Sequence, residues 1–169
     1  LYGEVGRFTE KKGGWNTGAE FVLGALPTDE ATFKALRAML RGRLVAWDPV
    51  KQAPRWAVEH AGPWNGGVLS TAGGLVFQGA SDAHFAAYDA ATGERVWRFF
   101  TETGVVAAPI AFELDGDTYV TVATGWGGAY ALIAGGVAPT GSEAKVGRVL
   151  TFKVGAKGAL PKSAPAQSV

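Results

Sequence analysis

One pattern occurs twice in this chain. Residues 46–56 read Ala-Trp-Asp-Pro-Val-Lys-Gln-Ala-Pro-Arg-Trp, and residues 87–97 read Ala-Tyr-Asp-Ala-Ala-Thr-Gly-Glu-Arg-Val-Trp. In each copy an Ala stands two before an Asp, and a Trp follows that Asp by eight. Asp48 and Asp89 are 41 positions apart, and so are Trp56 and Trp97. A self-similar unit of about 40–50 residues made of short strands is the sequence sign of a β-propeller blade. The rest of the chain is placed relative to these copies.

The second copy carries its own local logic. Phe85–Tyr88 reads as a short strand ending at Asp89, and Thr92-Gly93 closes a tight turn. An Asp accepts hydrogen bonds from backbone just ahead of it, and Gly takes the positive φ such a turn needs. Glu94–Phe99 resumes with strand-like alternation. Small Ala87 beside large Trp97 predicts that one blade offers a flat indole and the next a shallow place to receive it. The first copy has Lys51-Gln52 where Thr92-Gly93 stand, which predicts a differently shaped turn.

Composition narrows the function classes. A net charge of +1 with 18% charged residues leaves no electrostatic footprint for nucleic acid. Without cysteine there is no disulfide, thiolate chemistry or Cys-type zinc site in these residues. No apolar run approaches the ~18 residues of a membrane span, and no signal peptide opens the chain. The 25 glycines and six tryptophans suit short strands joined by tight turns. The abrupt start at Leu1-Tyr2-Gly3, without Met, reads as a piece of something longer.

Three regions are expected. Residues 1–41 form an irregular segment, with Trp15-Asn16-Thr17 its only compact cluster, and a short helix over about 28–41. In that helix Thr28 caps, Asp29 and Glu30 favour the N-terminal end, Arg37 and Arg41 favour the other, and Gly42 stops it. Phe33, Leu36 and Leu40 fall on one face. Residues 42–154 form propeller strands: 43–47, 55–60, 67–70, 75–78, 84–88, 95–100, 105–112, 118–124, 128–133 and 149–154. Asp115-Gly116 is a hairpin signal. Residues 155–169, rich in Gly, Ala, Pro and Ser, read as a linker or tail.

No catalytic or metal-binding set is visible in the residues. His60 and His84 stand isolated, as strand or surface histidines, and Glu113, Asp115 and Asp117 read as a solvated turn without calcium-loop spacing. Three glycine turns interrupt the strands: Pro63-Trp64-Asn65-Gly66-Gly67, Thr71-Ala72-Gly73-Gly74 and Gly125-Trp126-Gly127-Gly128. None is a phosphate-cradling pattern. Two of them set a Trp against consecutive glycines, which suits stacking a planar ligand while backbone N–H groups meet its polar edge. Sharp turns between strands explain the same glycines without any ligand.

As an ordered set, several stretches resemble the C-terminal part of the pyrroloquinoline-quinone (PQQ)-dependent alcohol dehydrogenases, the quinoproteins. They are Gly-Arg-Leu-Val-Ala-Trp-Asp-Pro-Val (42–50), Pro-Trp-Asn-Gly-Gly-Val-Leu-Ser-Thr-Ala-Gly-Gly-Leu-Val-Phe-Gln-Gly (63–79), the run from Phe85 to Trp97, Gly-Val-Val-Ala-Ala-Pro (104–109) and Val-Ala-Thr-Gly-Trp-Gly-Gly (122–128). The nearest likeness is to the quinohaemoprotein members, in which the propeller is succeeded by a cytochrome c domain.

The resemblance implies an all-β fold: the last two to three blades of an eight-bladed quinoprotein propeller, with one short helical insertion. It implies PQQ on the propeller axis, with calcium beside it and, in the full-length protein, haem c. The substrate is a small-molecule alcohol, an Asp is the base, and electrons pass to a cytochrome c domain or another acceptor in the periplasm. On this resemblance Trp64, Asn65, Gly125, Trp126 and Gly127 line the cofactor chamber, and the backbone N–H of Ala129 reaches a quinone carboxylate. The calcium ligands, catalytic Asp, adjacent cysteine pair, the Trp on which the quinone stacks and the Cys-x-x-Cys-His haem site belong to parts of the family's sequence not matched here. The expectation is therefore a dehydrogenase at full length and an inactive chain alone, in need of its remaining propeller blades. Two other readings stand beside it. One is a non-catalytic propeller scaffold of the bacterial envelope, and the other a small stand-alone β protein that binds a planar ligand.

Overall fold

The computed structural model describes residues 6–14, 19–23, 29–126 and 146–161. The chain divides into two compact units between Met39 and Leu40. In the first, β1 (Gly6–Glu10) pairs antiparallel with β2 (Ala19–Leu23), from Gly6 opposite Leu23 to Glu10 opposite Ala19. The expectation of an irregular segment before the helix is thus corrected. Arg-Phe-Thr and Glu-Phe-Val runs favour extended backbone, and that preference outweighs the glycine count. Gly13 and Gly14, at φ 83 and 71, fall in the connection.

The helix α1 (Glu30–Met39) is shorter than expected at both ends. Its cap is Asp29, whose Oδ1 accepts from the Thr32 N–H at 2.7 Å while its carbonyl accepts from Phe33 N. Hydrogen bonds from the Thr32 side chain first, and then from its N–H, hold the Asp29 carboxyl below its ordinary pKa. The expected cap, Thr28, lies outside the described residues. Gly42 serves a different purpose from stopping the helix. It opens the next strand, where a Cβ would sit 2.6 Å from the Gly62 carbonyl oxygen.

Among the described residues the second unit holds three antiparallel sheets. The first pairs β3 (Gly42–Asp48) with β4 (Ala53–His60). The second is a meander of β5 (Val68–Ser70), β6 (Leu75–Ala80), β7 (His84–Asp89) and β8 (Arg95–Phe100). The third orders β9 (Ile110–Leu114), β10 (Asp117–Thr124) and β11 (Arg148–Lys153) side by side. This is the expected architecture of successive propeller blades. The strand expected over 105–112 starts later. Val105 makes an isolated parallel bridge to Gly125 and donates its N–H to Ala80 O, and Pro109, with no N–H to donate, stands just before β9. The strand expected at 128–133 lies outside the described residues.

Alternation along the central strands decides what packs where. Val76 of β6 and Ala86 and Tyr88 of β7 point one way, against Leu44, Trp56 and Val58 of the first sheet. Phe77, Phe85 and Ala87 point the other way, against Val105, Val120 and Val122. The second sheet is therefore buried on both faces, and Phe85 is wholly enclosed. Burial drives Tyr88's phenol pKa upward, since the ionised form loses more hydration than the neutral one.

The repeat is structural in detail. Asp89 Oδ1 accepts from Ala91 N, Thr92 N and Thr92 Oγ1 at 2.8–3.0 Å. Asp48 Oδ1 accepts from Val50 N and Lys51 N at 3.0 Å. Both copies shift register at the same place, after Ala46 and after Ala87. The turn of the first copy is not reshaped as expected. Gln52 takes φ 51 where Gly93 takes φ 77, a left-handed conformation forced on a residue that does not favour it. Docking also differs from expectation. Ala87 is the cross-strand partner of Trp97 within one sheet. The receiving surface is instead the next sheet's turn: Trp56 Nε1 donates to Ala90 O at 3.0 Å, and its ring lies flat on Gly93. Trp97 meets the third sheet through Phe152, with ring centroids 5.1 Å apart in an edge-to-face contact.

Candidate functional site

The connection from β4 to β5 carries the most strained exposed aromatic residue of the described chain. Trp64 stands at φ 62 and is 52% exposed. Holding a bulky residue there costs on the order of 1–3 kcal/mol and persists only where neighbours over-determine the backbone. They do so here. Asn65 Nδ2 donates to Gly62 O at 3.0 Å, and Asn65 Oδ1 accepts from Ser81 N at 3.1 Å. Gly66 N donates to Gly79 O at 2.9 Å, and Gly66 O accepts from Gln78 Nε2 at 2.9 Å. Gln78 in turn meets His60 Nε2 through its Oε1, again at 2.9 Å. A Cβ on Gly66 would lie 2.8 Å from the carbonyl oxygens of Val105 and Ala107, so only glycine fits.

The second candidate stretch closes β10. Gly125, at φ 131, donates its N–H to Gly104 O at 2.8 Å. The Trp126 indole lies so close over Gly104 that a Cβ there would come within 2.7 Å of its ring. The structure thus lays three segments side by side: 62–67 against 105–108, and 104–105 against 125–126. Trp64 and Asn65 belong to the first, Gly125 and Trp126 to the last. Gly127 and Ala129 lie outside the described residues. Asn65 has both ends of its amide engaged, one with Gly62 inside the turn and one with Ser81 beyond β6, which ties the loop to the second sheet.

Sequence reading missed the supporting residues. His60 is buried and bonded to Gln78, not an isolated strand histidine. His84 is likewise not isolated: its Nδ1 lies 2.9 Å from both Asp82 O and Arg98 Nη2, and 3.2 Å from Asp82 Oδ1. No spacing rule joins His60 to Gln78, because they sit in different sheets 18 positions apart. Among the described residues, buried Ser81 Oγ and Thr103 Oγ1 have no hydrogen-bond partner. Asp115 and Gly116, at φ 53 and 81, make the expected hairpin turn, and Asp117 pairs with Lys153 Nζ at 2.6 Å. No group of three or more His, Cys, Asp or Glu side chains among the described residues is placed to hold a metal.

Residues 34–120 match the family described as glucose/ethanol/alcohol dehydrogenase, β-propeller domain (PQQ). The chain belongs to that family. It is 41% identical over 161 residues to the dehydrogenase subunit of alcohol dehydrogenase (quinone) from Gluconacetobacter polyoxogenes, covering 94% of this chain and 22% of that one. It is 48% identical over 149 residues to quinohemoprotein alcohol dehydrogenase from Comamonas testosteroni, covering 88% and 19%. Among solved structures, quinohemoprotein alcohol dehydrogenase ADHIIG from Pseudomonas putida HK5 superposes with TM-score 0.79 at 39% identity, covering 89% of this chain and 22% of that one. The Comamonas testosteroni enzyme superposes with TM-score 0.68 at 46% identity, covering 89% and 20%. The chain spans about a fifth of the length of these relatives. No helix among the described residues is long and apolar enough to cross a membrane.

Proposed function

We propose that this chain supplies the closing blades of a periplasmic PQQ-dependent alcohol dehydrogenase, which oxidises alcohols to aldehydes and passes electrons to a haem or quinone acceptor. In this reading residues 62–67 and 125–129 form one wall of the cofactor chamber. Calcium and haem c are held by other parts of the full-length protein, and residues 155–169 serve as a linker or tail. The observation that carries the reading is the Trp64 turn: an exposed indole kept in a left-handed conformation, inside the family-matched stretch. Strain held in place by so many bonds is a mark of a functional surface.

The described residues fit a planar group as one wall. Trp64 gives a flat apolar face, and glycines at 66, 104 and 125 hold the neighbouring backbone close. Bound PQQ supplies the two-electron acceptor for the oxidation. This chain's residues would orient it and keep water from one side, with the general base supplied by another part of the full-length protein.

A chimera tests the proposal. The matching fifth of the Comamonas testosteroni enzyme is replaced by this chain, and the product is loaded with PQQ and calcium. Alcohol oxidation near the parent level is expected, with Trp64→Ala weakening PQQ binding about tenfold, the loss of one aromatic face from the chamber wall. A folded chimera whose PQQ affinity is unmoved by Trp64→Ala and by Trp126→Ala would overturn it.

A further inference from the structure

We propose that His60 and Gln78 are positioning residues, a buried hydrogen-bonded brace that fixes the Trp64 turn through Gly66; this rests on that turn being a wall of the cofactor chamber. The brace has a direction. The Gln78 amide nitrogen donates to Gly66 O, so its oxygen faces His60, and His60 must carry a proton on Nε2. Neutral and cationic imidazole both meet that need, so the chain His60 to Gln78 to Gly66 holds in either state.

Blade docking alone does not call for these residues. On the same face of β4 stand Trp56 and Val58, and on the same face of β6 stands Val76. Apolar contact joins the sheets there. Polar groups at such a junction cost desolvation that apolar side chains avoid. The polar pair occurs where the regular ladder has ended. β5 begins at Val68, and the Gln78 side chain does for Gly66 O what a strand N–H would do further along. With the Gly66 N–H held by Gly79 O, the residue two beyond Trp64 has both its backbone polar groups held. The brace also crosses from the first sheet to the second, so the wall's position depends on the docking of two blades.

Four variants of the full-length protein test this. Gln78→Glu keeps the acceptor for His60 but loses the donor to Gly66. His60→Gln keeps a donor near the Nε2 position, and His60→Leu does not. Trp64→Ala is the control for the wall itself. PQQ affinity is read by fluorescence titration, and hydrogen exchange by the peptide covering residues 61–67. Gln78→Glu and His60→Leu are expected to weaken PQQ binding by about tenfold and to speed exchange in that peptide selectively, while His60→Gln restores both. Folded Gln78→Glu and His60→Leu proteins with PQQ affinity within about twofold of the parent would overturn the brace, provided Trp64→Ala does lower it. If Trp64→Ala has no effect, the wall reading fails and the brace loses its function with it. If Gln78→Glu does not fold, the two His60 variants decide: equal behaviour of Gln and Leu there overturns the proposal.

Discussion

A left-handed backbone position shows how one residue can copy a neighbour's conformation without its chemistry. Gly93 adopts φ 77 beneath the Trp56 ring, and Gln52 adopts φ 51 at the matching place one repeat earlier. Replacing Gln52 by Gly is expected to raise stability by about 0.5–1 kcal/mol in a denaturant melt, because Gly takes this conformation without a Cβ clash. Gly93→Ala is expected to cost about 2–3 kcal/mol, since its Cβ would lie 2.7 Å from the indole. Asp89 adds a pH dependence. Bonds from the Thr92 N–H first, then Thr92 Oγ1 and Ala91 N, hold its carboxyl below the usual range. The folded state therefore favours the carboxylate. Its contribution is present above the ordinary Asp pKa of about 3.9 and is lost as pH falls through the lower folded value. Protection of the Ala91 and Thr92 amides, taken relative to their intrinsic exchange rate at each pH, should fall in acid, and Asp89→Asn should flatten that response. Asp89 and Gly93 were legible in the sequence because turn chemistry names them. Gln52 was not, since its conformation is imposed by the repeat around it.

At the scale of elements, hydrophobic alternation was enough to find most strands after Gly42. β6 and β7 show why their packing went further than the pattern. Both faces are buried, so Val76 and Phe77 are adjacent and each is covered by a different sheet. Phe85, enclosed between Phe77, Trp97 and Phe152, is the largest wholly buried side chain of the described residues. Phe85→Ala is expected to cost about 3–5 kcal/mol in thermal or denaturant unfolding. Thr121→Ala, which removes only the exposed bond to Thr151, should cost less than about 0.5–1 kcal/mol. Where sequence reading erred, local chemistry competed with composition. Glycines near residue 13 drew attention from the strand-forming runs of β1 and β2, and Pro109 split an apolar stretch that alternation had joined.

For the molecule as a whole, the repeat declared the propeller and its docking tryptophans. The site was only partly legible: the Trp-glycine turns stood out, while the His60 and Gln78 support needed the sheets to be assembled first. The proposed wall, without its opposite side, should not work alone. Titrating this chain with PQQ and calcium while following Trp fluorescence is expected to show no saturable quenching. Saturation that Trp126→Ala abolishes would show that these blades hold a usable half-site.

The bond from Trp56 to Ala90 spans 34 positions, and each sheet is a meander of neighbouring strands. Such contacts keep the path between partners short for so β-rich a fold. They also give assembly an order during synthesis. At about 5–20 residues per second, the ribosome takes roughly 2–7 s to make the turn on which the Trp56 ring will lie. Until then that indole is exposed on a growing chain, and each newly made sheet shields the one before it.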